Sequence, residues 1–155
     1  MDLYEKDYYA WITNQVRAMR ERRVKDIDWD NVAEEIEDLG KSEKHSVESQ
    51  LARICEHFLK LAYAPARLES LNRRRWELSI REARHQLRKL LSESPSLRGK
   101  TAEILADAYE TGRTATLIAL NLPDSAVPET PSWTLEQLLD DSFLPDRTNS
   151  RHGRK

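Results

Sequence analysis

Two stretches of apolar residues, within 47–61 and 76–90, repeat at alternating spacings of four and three and constrain the fold most strongly. The first consists of Val47, Leu51, Ile54, Phe58 and Leu61, and the second of Trp76, Ile80, Ala83, Leu87 and Leu90. Residues at these spacings lie on one side of an α-helix, whereas a half-buried strand would alternate at every second residue. Both stretches therefore predict helices that pack against other helices.

The same periodicity predicts two helices before these stretches. The first runs from about Tyr4 to Arg22, and its inner side is formed by Tyr8, Ile12, Gln15 and Met19, with Trp11 on the flank. The second begins after Asp28 or Asp30, either of which is a favourable N-cap, and its inner face is Val32, Ile36 and Leu39. Gly40 either ends or bends this second helix.

Two later segments have recognisable helix boundaries. After a helix over about 71–93, Ser94 and Pro95 predict the start of another, which Asn121 and Pro123 stop near Leu120. Its inner stripe of mostly small residues would allow close helix packing and consists of Leu105, Ala108, Gly112, Ala115 and Ala119. Near the end of the chain, Thr134 and Gln137 have capping-box spacing, with Trp133 and Leu138 placed for a hydrophobic staple.

Together these segments predict an all-α fold, a helical bundle of four or five helices with a short docked C-terminal helix. A single helical domain is expected over residues 1–145, with the bundle at about 4–120. A proline-rich loop covers 121–132 and a docking arm 133–145, and residues 146–155 are expected to form a disordered basic tail.

Charge is unevenly distributed along the chain. Residues 1–48 have a net charge of −5 and residues 101–149 a net charge of −7, whereas residues 67–100 have +6. A basic segment between two acidic ones indicates either an internal electrostatic match or a binding surface, and the internal match is the simpler interpretation.

The basic segment contains a candidate interaction ridge on the predicted helix over about 71–93. The ridge residues are Arg74, Arg81, His85, Arg88 and Lys89. Helical spacing places them away from Trp76, Ile80 and Leu87. If the ridge faces an acidic part of the same chain it stabilises the fold, and if it faces solvent it is a nucleic-acid surface with salt-sensitive phosphate contacts.

The acidic residues of the second helix do not predict a metal site. Glu34, Glu37 and Asp38 point away from the Val32–Leu39 face, whereas the carboxylates of di-iron bundles project inward from several helices. The Glu-x-x-His pair at Glu82 and His85 occurs once and on an outer face. Glu35 is different, because it lies on the flank of the core and is a candidate partly buried carboxylate that needs a partner.

The sequence also lacks signals of catalysis and of membrane insertion. The single cysteine, Cys55, cannot face His57 two residues later on a helix, and its position predicts a small buried side chain. Nucleotide-binding loops and nucleophile elbows are absent, so no catalytic residue, metal or cofactor is predicted and an enzyme is not the favoured class. No apolar run reaches the roughly 18 residues of a membrane span, and a cytoplasmic location is expected.

Several strings, taken in order, resemble the bacterial domain of unknown function 29 family. They are DYYAW (7–11), DNVAEEIEDLG (30–40), SIREAR (79–84), SPSL (94–97) and LPDSAVPETPSWTLEQLLDDSFLP (122–145). This chain has Pro131, Ser132 and Trp133 where the family often has Pro-Tyr or Cys-Pro-Tyr. The resemblance implies an all-helical bacterial domain and supplies no catalytic residue, cofactor or substrate.

Two functions follow as hypotheses. The favoured one is a non-enzymatic interaction module that binds an unknown protein partner or a second copy of itself through its amphipathic helices. The alternative is a small regulator that binds nucleic acid through the basic ridge, an idea weakened by the net charge of −2.

Overall fold

A computed structural model describes residues 2–148, and all regular secondary structure in that range is helical. The helices are α1 (Leu3–Lys6), α2 (Tyr8–Arg20), α3 (Trp29–Tyr63), α4 (Ala66–Glu93), α5 (Thr101–Leu120) and α6 (Leu135–Leu139). Short 3₁₀ segments occupy the connections at Val24–Asp26, Pro95–Lys100 and Asp124–Ala126. The predicted all-α helical bundle is confirmed.

The chain divides between Glu43 and Lys44 into two compact units, called unit 1 and unit 2 below. Helix α3 continues through this boundary, so Gly40 does not end it. The expectation of a single domain over 1–145 stays a prediction, and most of the expected tail, residues 149–155, lies outside the described residues.

The prediction of one continuous first helix is wrong at its start, because the structure breaks that helix at Asp7 into α1 and α2. The Asp7 side chain accepts a hydrogen bond from the backbone N–H of Ala10, which makes Asp7 the N-cap of α2. Asp2 caps the short α1 in the same way through the N–H of Leu3. The helix then ends at Arg20, and Arg22 adopts a positive φ of 54°.

The core of unit 2 agrees closely with the apolar spacing. Every residue of the predicted 47–61 stretch is buried, and so are Trp76, Ile80, Ala83 and Leu87 of α4. Leu90 is only half-buried, and its neighbour Leu91 is buried instead. Helix α4 starts at Ala66, about one turn before the predicted position.

Gly112 brings α5 against the backbone of α3. A Cβ atom at this position would lie 2.7 Å from the carbonyl oxygen of Ala52 and 2.8 Å from the amide nitrogen of Glu56. Thr116, one turn later, is buried and donates to the carbonyls of Gly112 and Glu56. The predicted close approach therefore depends on Gly112.

The prediction is wrong for other residues of the α5 stripe, because the buried face of the helix is rotated relative to the predicted face. The buried residues of α5 are Thr101, Ile104, Ala108, Tyr109, Gly112 and Thr116, whereas Leu105 and Ala115 are half-buried and Ala119 is exposed. Tyr109 belongs to the buried face because its hydroxyl donates to the carbonyl of Pro128 at 2.8 Å. The predicted end of this helix at Leu120 is confirmed, and Asn121 adopts the left-handed conformation that commonly ends helices.

The C-terminal arm is docked on the core of unit 2. Thr134 and Gln137 form the predicted capping box at the start of α6, and Leu138 is fully buried. The rings of Trp133 and Phe143 contact the Phe58 ring, with centroid distances of 5.2 and 5.9 Å. These contacts place the arm over the apolar face that α3 and α4 share.

The side chain of Arg84 in α4 binds the backbone of the C-terminal arm. The side chain is buried, with the residue only 2% exposed. Its Nε donates to the carbonyl of Leu138 at 2.7 Å, and one terminal nitrogen donates to the carbonyls of Gln137 at 3.2 Å and Phe143 at 2.8 Å. The guanidinium also lies 5.3 Å from the centre of the Phe58 ring. Burial lowers the pKa of Arg84, which the nearby arm carboxylates partly offset.

We expect Gly112→Ala to destabilise unit 2 by about 1–3 kcal/mol, because the added methyl meets two backbone atoms that cannot move aside easily. Gly40→Ala is the matched control, since its Cβ would meet no atom within 4 Å in mid-helix. That variant should gain up to about 1 kcal/mol from helix propensity. Urea unfolding measures both, and equal effects would contradict the proposed close packing.

We expect Arg84→Met to destabilise the fold by about 2–3 kcal/mol, because it leaves buried carbonyls of the arm without donors. Arg81→Met removes an exposed arginine three residues earlier on the same helix and should change stability by no more than about 0.5 kcal/mol. Thermal unfolding followed by tryptophan fluorescence checks both. If Arg84→Met has the same melting temperature as the wild type, these hydrogen bonds contribute nothing to stability.

Candidate functional site

Unit 1 contains an open apolar groove of about 330 Å³ between α2 and the first part of α3. It is lined by Tyr8, Trp11, Ile12, Gln15, Val16, Met19, Val32, Glu35, Ile36 and Leu39. The predicted inner faces of the first two helices thus lie along one groove. The expectation that these faces belong to a covered core is wrong, since Ile36 is 62% and Leu39 68% exposed. The buried apolar residues of this unit are Trp11, Ala18 and Val32.

Glu35 is the polar centre of this groove and is half-buried. Its two carboxylate oxygens accept hydrogen bonds from the hydroxyls of Tyr4 at 2.7 Å and Tyr8 at 2.5 Å. The two tyrosine rings also contact each other and the Trp11 ring. The hydrogen bond to Glu35 raises the pKa of Tyr4 to about 12 and also raises that of Tyr8. Because both phenols must remain protonated to donate, the cluster requires neutral tyrosines.

Asp28 fixes the other end of the contact between α2 and α3. Its carboxylate accepts from the Trp11 indole N–H at 3.2 Å and from the Asn31 side chain at 2.7 Å. Its backbone N–H donates to the Gln15 side chain at 2.8 Å. The hydrogen bonds from Asn31 and then Trp11 lower the pKa of Asp28. Polar contacts at Glu35 and Asp28 therefore hold the two helices side by side and leave the apolar groove open.

The two helices that form the groove carry opposite charge. Helix α2 contains Arg17 and Arg20 and no acidic residue, which gives it a net charge of +2. Residues 29–43 of α3 contain six acids and one lysine, for a net charge of −5. Three of these acids are the exposed Glu34, Glu37 and Asp38, as their helical positions predicted.

A family model described as Domain of unknown function DUF29 matches residues 3–144. The chain belongs to the DUF29 family. No curated protein and no solved structure matches it.

The predicted basic ridge of this DUF29 chain is split between two environments. Arg88 bonds both carboxylate oxygens of Asp141 in the C-terminal arm, at 3.0–3.2 Å, and also the carbonyl of Leu139. Arg74, Arg81, His85 and Lys89 are exposed, and Lys89 reaches Glu93 on its own helix at 4.0 Å. Part of the ridge is therefore an internal match with the arm, and the rest faces solvent.

The remaining residues considered for chemistry are dispersed. Within residues 2–148, no three His, Cys, Asp or Glu side chains are grouped so that they could hold a metal ion. Glu82 and His85 are exposed, and Cys55 is buried, which raises the pKa of its thiol to about 12. None of the DUF29 helices in the described range is long and apolar enough to cross a membrane.

Sequence reasoning missed the polar roles of two tyrosines and one arginine in this DUF29 chain. Tyr8 was assigned to the inner side of the first helix and Tyr4 only to its start, although their spacing of four lets both hydroxyls converge on one carboxylate. Arg84 was overlooked, yet it lies four residues after Ile80 and seven before Leu91, on the apolar face of α4. A basic residue in such a position signals a buried cation that needs acceptors.

We expect Glu35→Gln to bring the pKa of Tyr4 down toward 10, because the carboxylate that accepts the hydrogen bond of its hydroxyl is removed. Folding raises this pKa from 10.0 to about 12, so its stabilising contribution is present below pH 10 and is lost as the pH rises toward 12. Phenolate absorbance during a pH titration measures the change. Glu37→Gln is the control, and identical titrations for the two variants would contradict the Glu35 contact.

Proposed function

We propose that this DUF29 protein is a self-associating helical module, in which the groove of unit 1 binds the same groove of a second copy. The support is the combination of exposed apolar side chains with helices of opposite charge. Such a module would act through assembly rather than through chemistry of its own.

The apolar side chains of unit 1 favour an interface. Large side chains along the groove are exposed, among them Val16, Met19, Ile36 and Leu39, whereas only three apolar residues are buried within the described part of the unit, residues 2–43. Two helices alone bury little surface, and contiguous exposed apolar patches on soluble proteins commonly mark interaction sites. A second hairpin placed over the groove would form a four-helix core.

The charges favour a second copy as the occupant. In a two-fold symmetric pair of helical hairpins, α2 of one copy can lie beside the 29–43 segment of the other. Helix α2 has a net charge of +2 and residues 29–43 have −5, so this arrangement brings opposite charges together twice. The same chain thus supplies both the apolar stripe and the complementary charge, which an unrelated partner would have to match independently.

Analytical ultracentrifugation across a concentration series tests the proposal. The wild type should form a dimer, and Ile36→Glu combined with Leu39→Glu should shift it to a monomer, because two carboxylates would enter the interface. Ile118→Glu is the matched control, since Ile118 of α5 is 76% exposed and lies in unit 2. A wild type that stays monomeric at every concentration, or a control that dissociates equally, would overturn it.

A charge-exchange experiment tests the arrangement of the helices. One variant carries Arg17→Glu and Arg20→Glu, and the other carries Glu34→Lys, Glu37→Lys and Asp38→Lys. Each variant alone would place like charges side by side and should be monomeric at low salt. An equimolar mixture should form a heterodimer, because each reversed helix then meets an oppositely charged one. Failure of the mixture to associate would contradict this arrangement.

A further inference from the structure

Unit 2 contains a second, polar cavity of about 510 Å³ between α3 and α4. Its lining residues are Arg53, Glu56, His57 and Lys60 of α3, and Asn72, Arg75, Trp76 and Ser79 of α4. Its volume is within the range of roughly 300–1,000 Å³ that small-molecule sites occupy. No residue of the groove in unit 1 takes part in it.

The cavity has an excess of positive charge. Three of its residues are cations and one is an acid, so its lining carries +2 with a neutral histidine. Lys60 pairs with Glu56. Arg53 donates from Nε to the Ser79 hydroxyl at 2.9 Å, and one of its terminal nitrogens lies 3.7 Å from Glu82. Arg75 is exposed and has no ion pair within residues 2–148. Two guanidinium groups therefore retain donors for another acceptor.

His57 belongs to the cavity lining, but its Nδ1 is sealed from the open space. This atom has no hydrogen-bond partner among the described residues. Buried polar atoms without partners are rare in folded proteins. Burial lowers the pKa of His57 to about 4, with Lys60, Arg53 and Arg75 adding to the effect and Glu56 opposing it. The ring is thus neutral near pH 7, and either of its nitrogens can carry the proton.

We propose that this cavity binds a small organic phosphate monoester. A phosphate monoester carries about −1.5 to −2 charges near pH 7, which matches the excess of +2. Arginine guanidinium groups bond phosphate oxygens in pairs, and both Arg53 and Arg75 line the cavity. The Trp76 side chain is nearly buried and provides an apolar wall for the organic part of the ligand.

Titration of the full chain with phenyl phosphate, followed by NMR of the indole and imidazole protons, tests this site. Saturable shifts of the Trp76 and His57 signals are expected, and phenol, which lacks the phosphate, should produce none. Binding should also raise the pKa of His57 from about 4, because the bound anion favours the protonated ring. Absence of saturation with phenyl phosphate, or equal shifts with phenol, would overturn the proposal.

Two neighbouring arginines provide matched variants. Arg75→Gln should weaken phenyl phosphate binding by about tenfold, as expected for loss of one charge-assisted hydrogen bond. Arg74→Gln, which removes an exposed arginine outside the cavity, should change the affinity less than about twofold. Arg53→Gln is the second test variant and should also weaken binding. Equal effects of the Arg74 and Arg75 changes would show non-specific attraction and contradict the site.

Discussion

The buried guanidinium of Arg84 is the constraint on which unit 2 depends. A cation taken out of water costs several kcal/mol unless its donors are bonded, and here three main-chain carbonyls of the C-terminal arm accept from it. Carbonyls do this with partial charges, so no acid has to be buried with the arginine. The same contacts fix the position of α6 and of the aromatic side chains that cover Phe58. Removal of the arm would therefore expose apolar surface and leave water in place of these carbonyls around the guanidinium.

Much of the fold could be predicted from the sequence because it is encoded locally. The apolar spacing from Val47 to Leu61, the capping box of Thr134 and Gln137, and the stop at Asn121 each depend on residues within a few turns of helix. The break at Asp7 is also local, but a continuous apolar pattern hid it. The errors in the faces of α2, α3 and α5 have a different origin, since burial depends on which elements are close enough to cover a stripe.

The candidate sites were less accessible to sequence reasoning. The flank position of Glu35 indicated that it needed a partner, but its two tyrosines lie 31 and 27 residues away along the chain. In the same way, Arg53 and Arg75 line one cavity only because α3 and α4 pair in a particular register. Helical periodicity states which side a residue faces, and it does not state which residue of another helix lies opposite.

The order of synthesis gives the contact between Arg84 and the arm a further consequence. Its acceptor carbonyls belong to residues 53 to 59 positions later, so they leave the ribosome about 3–12 s after Arg84 at ordinary elongation rates. During that interval the guanidinium has to stay hydrated, and the neighbouring face of α4 stays open. A chain interrupted before the arm is made would keep this face exposed, which is the condition that chaperones and proteases recognise. Unit 2 can therefore complete its fold only after the arm has been translated.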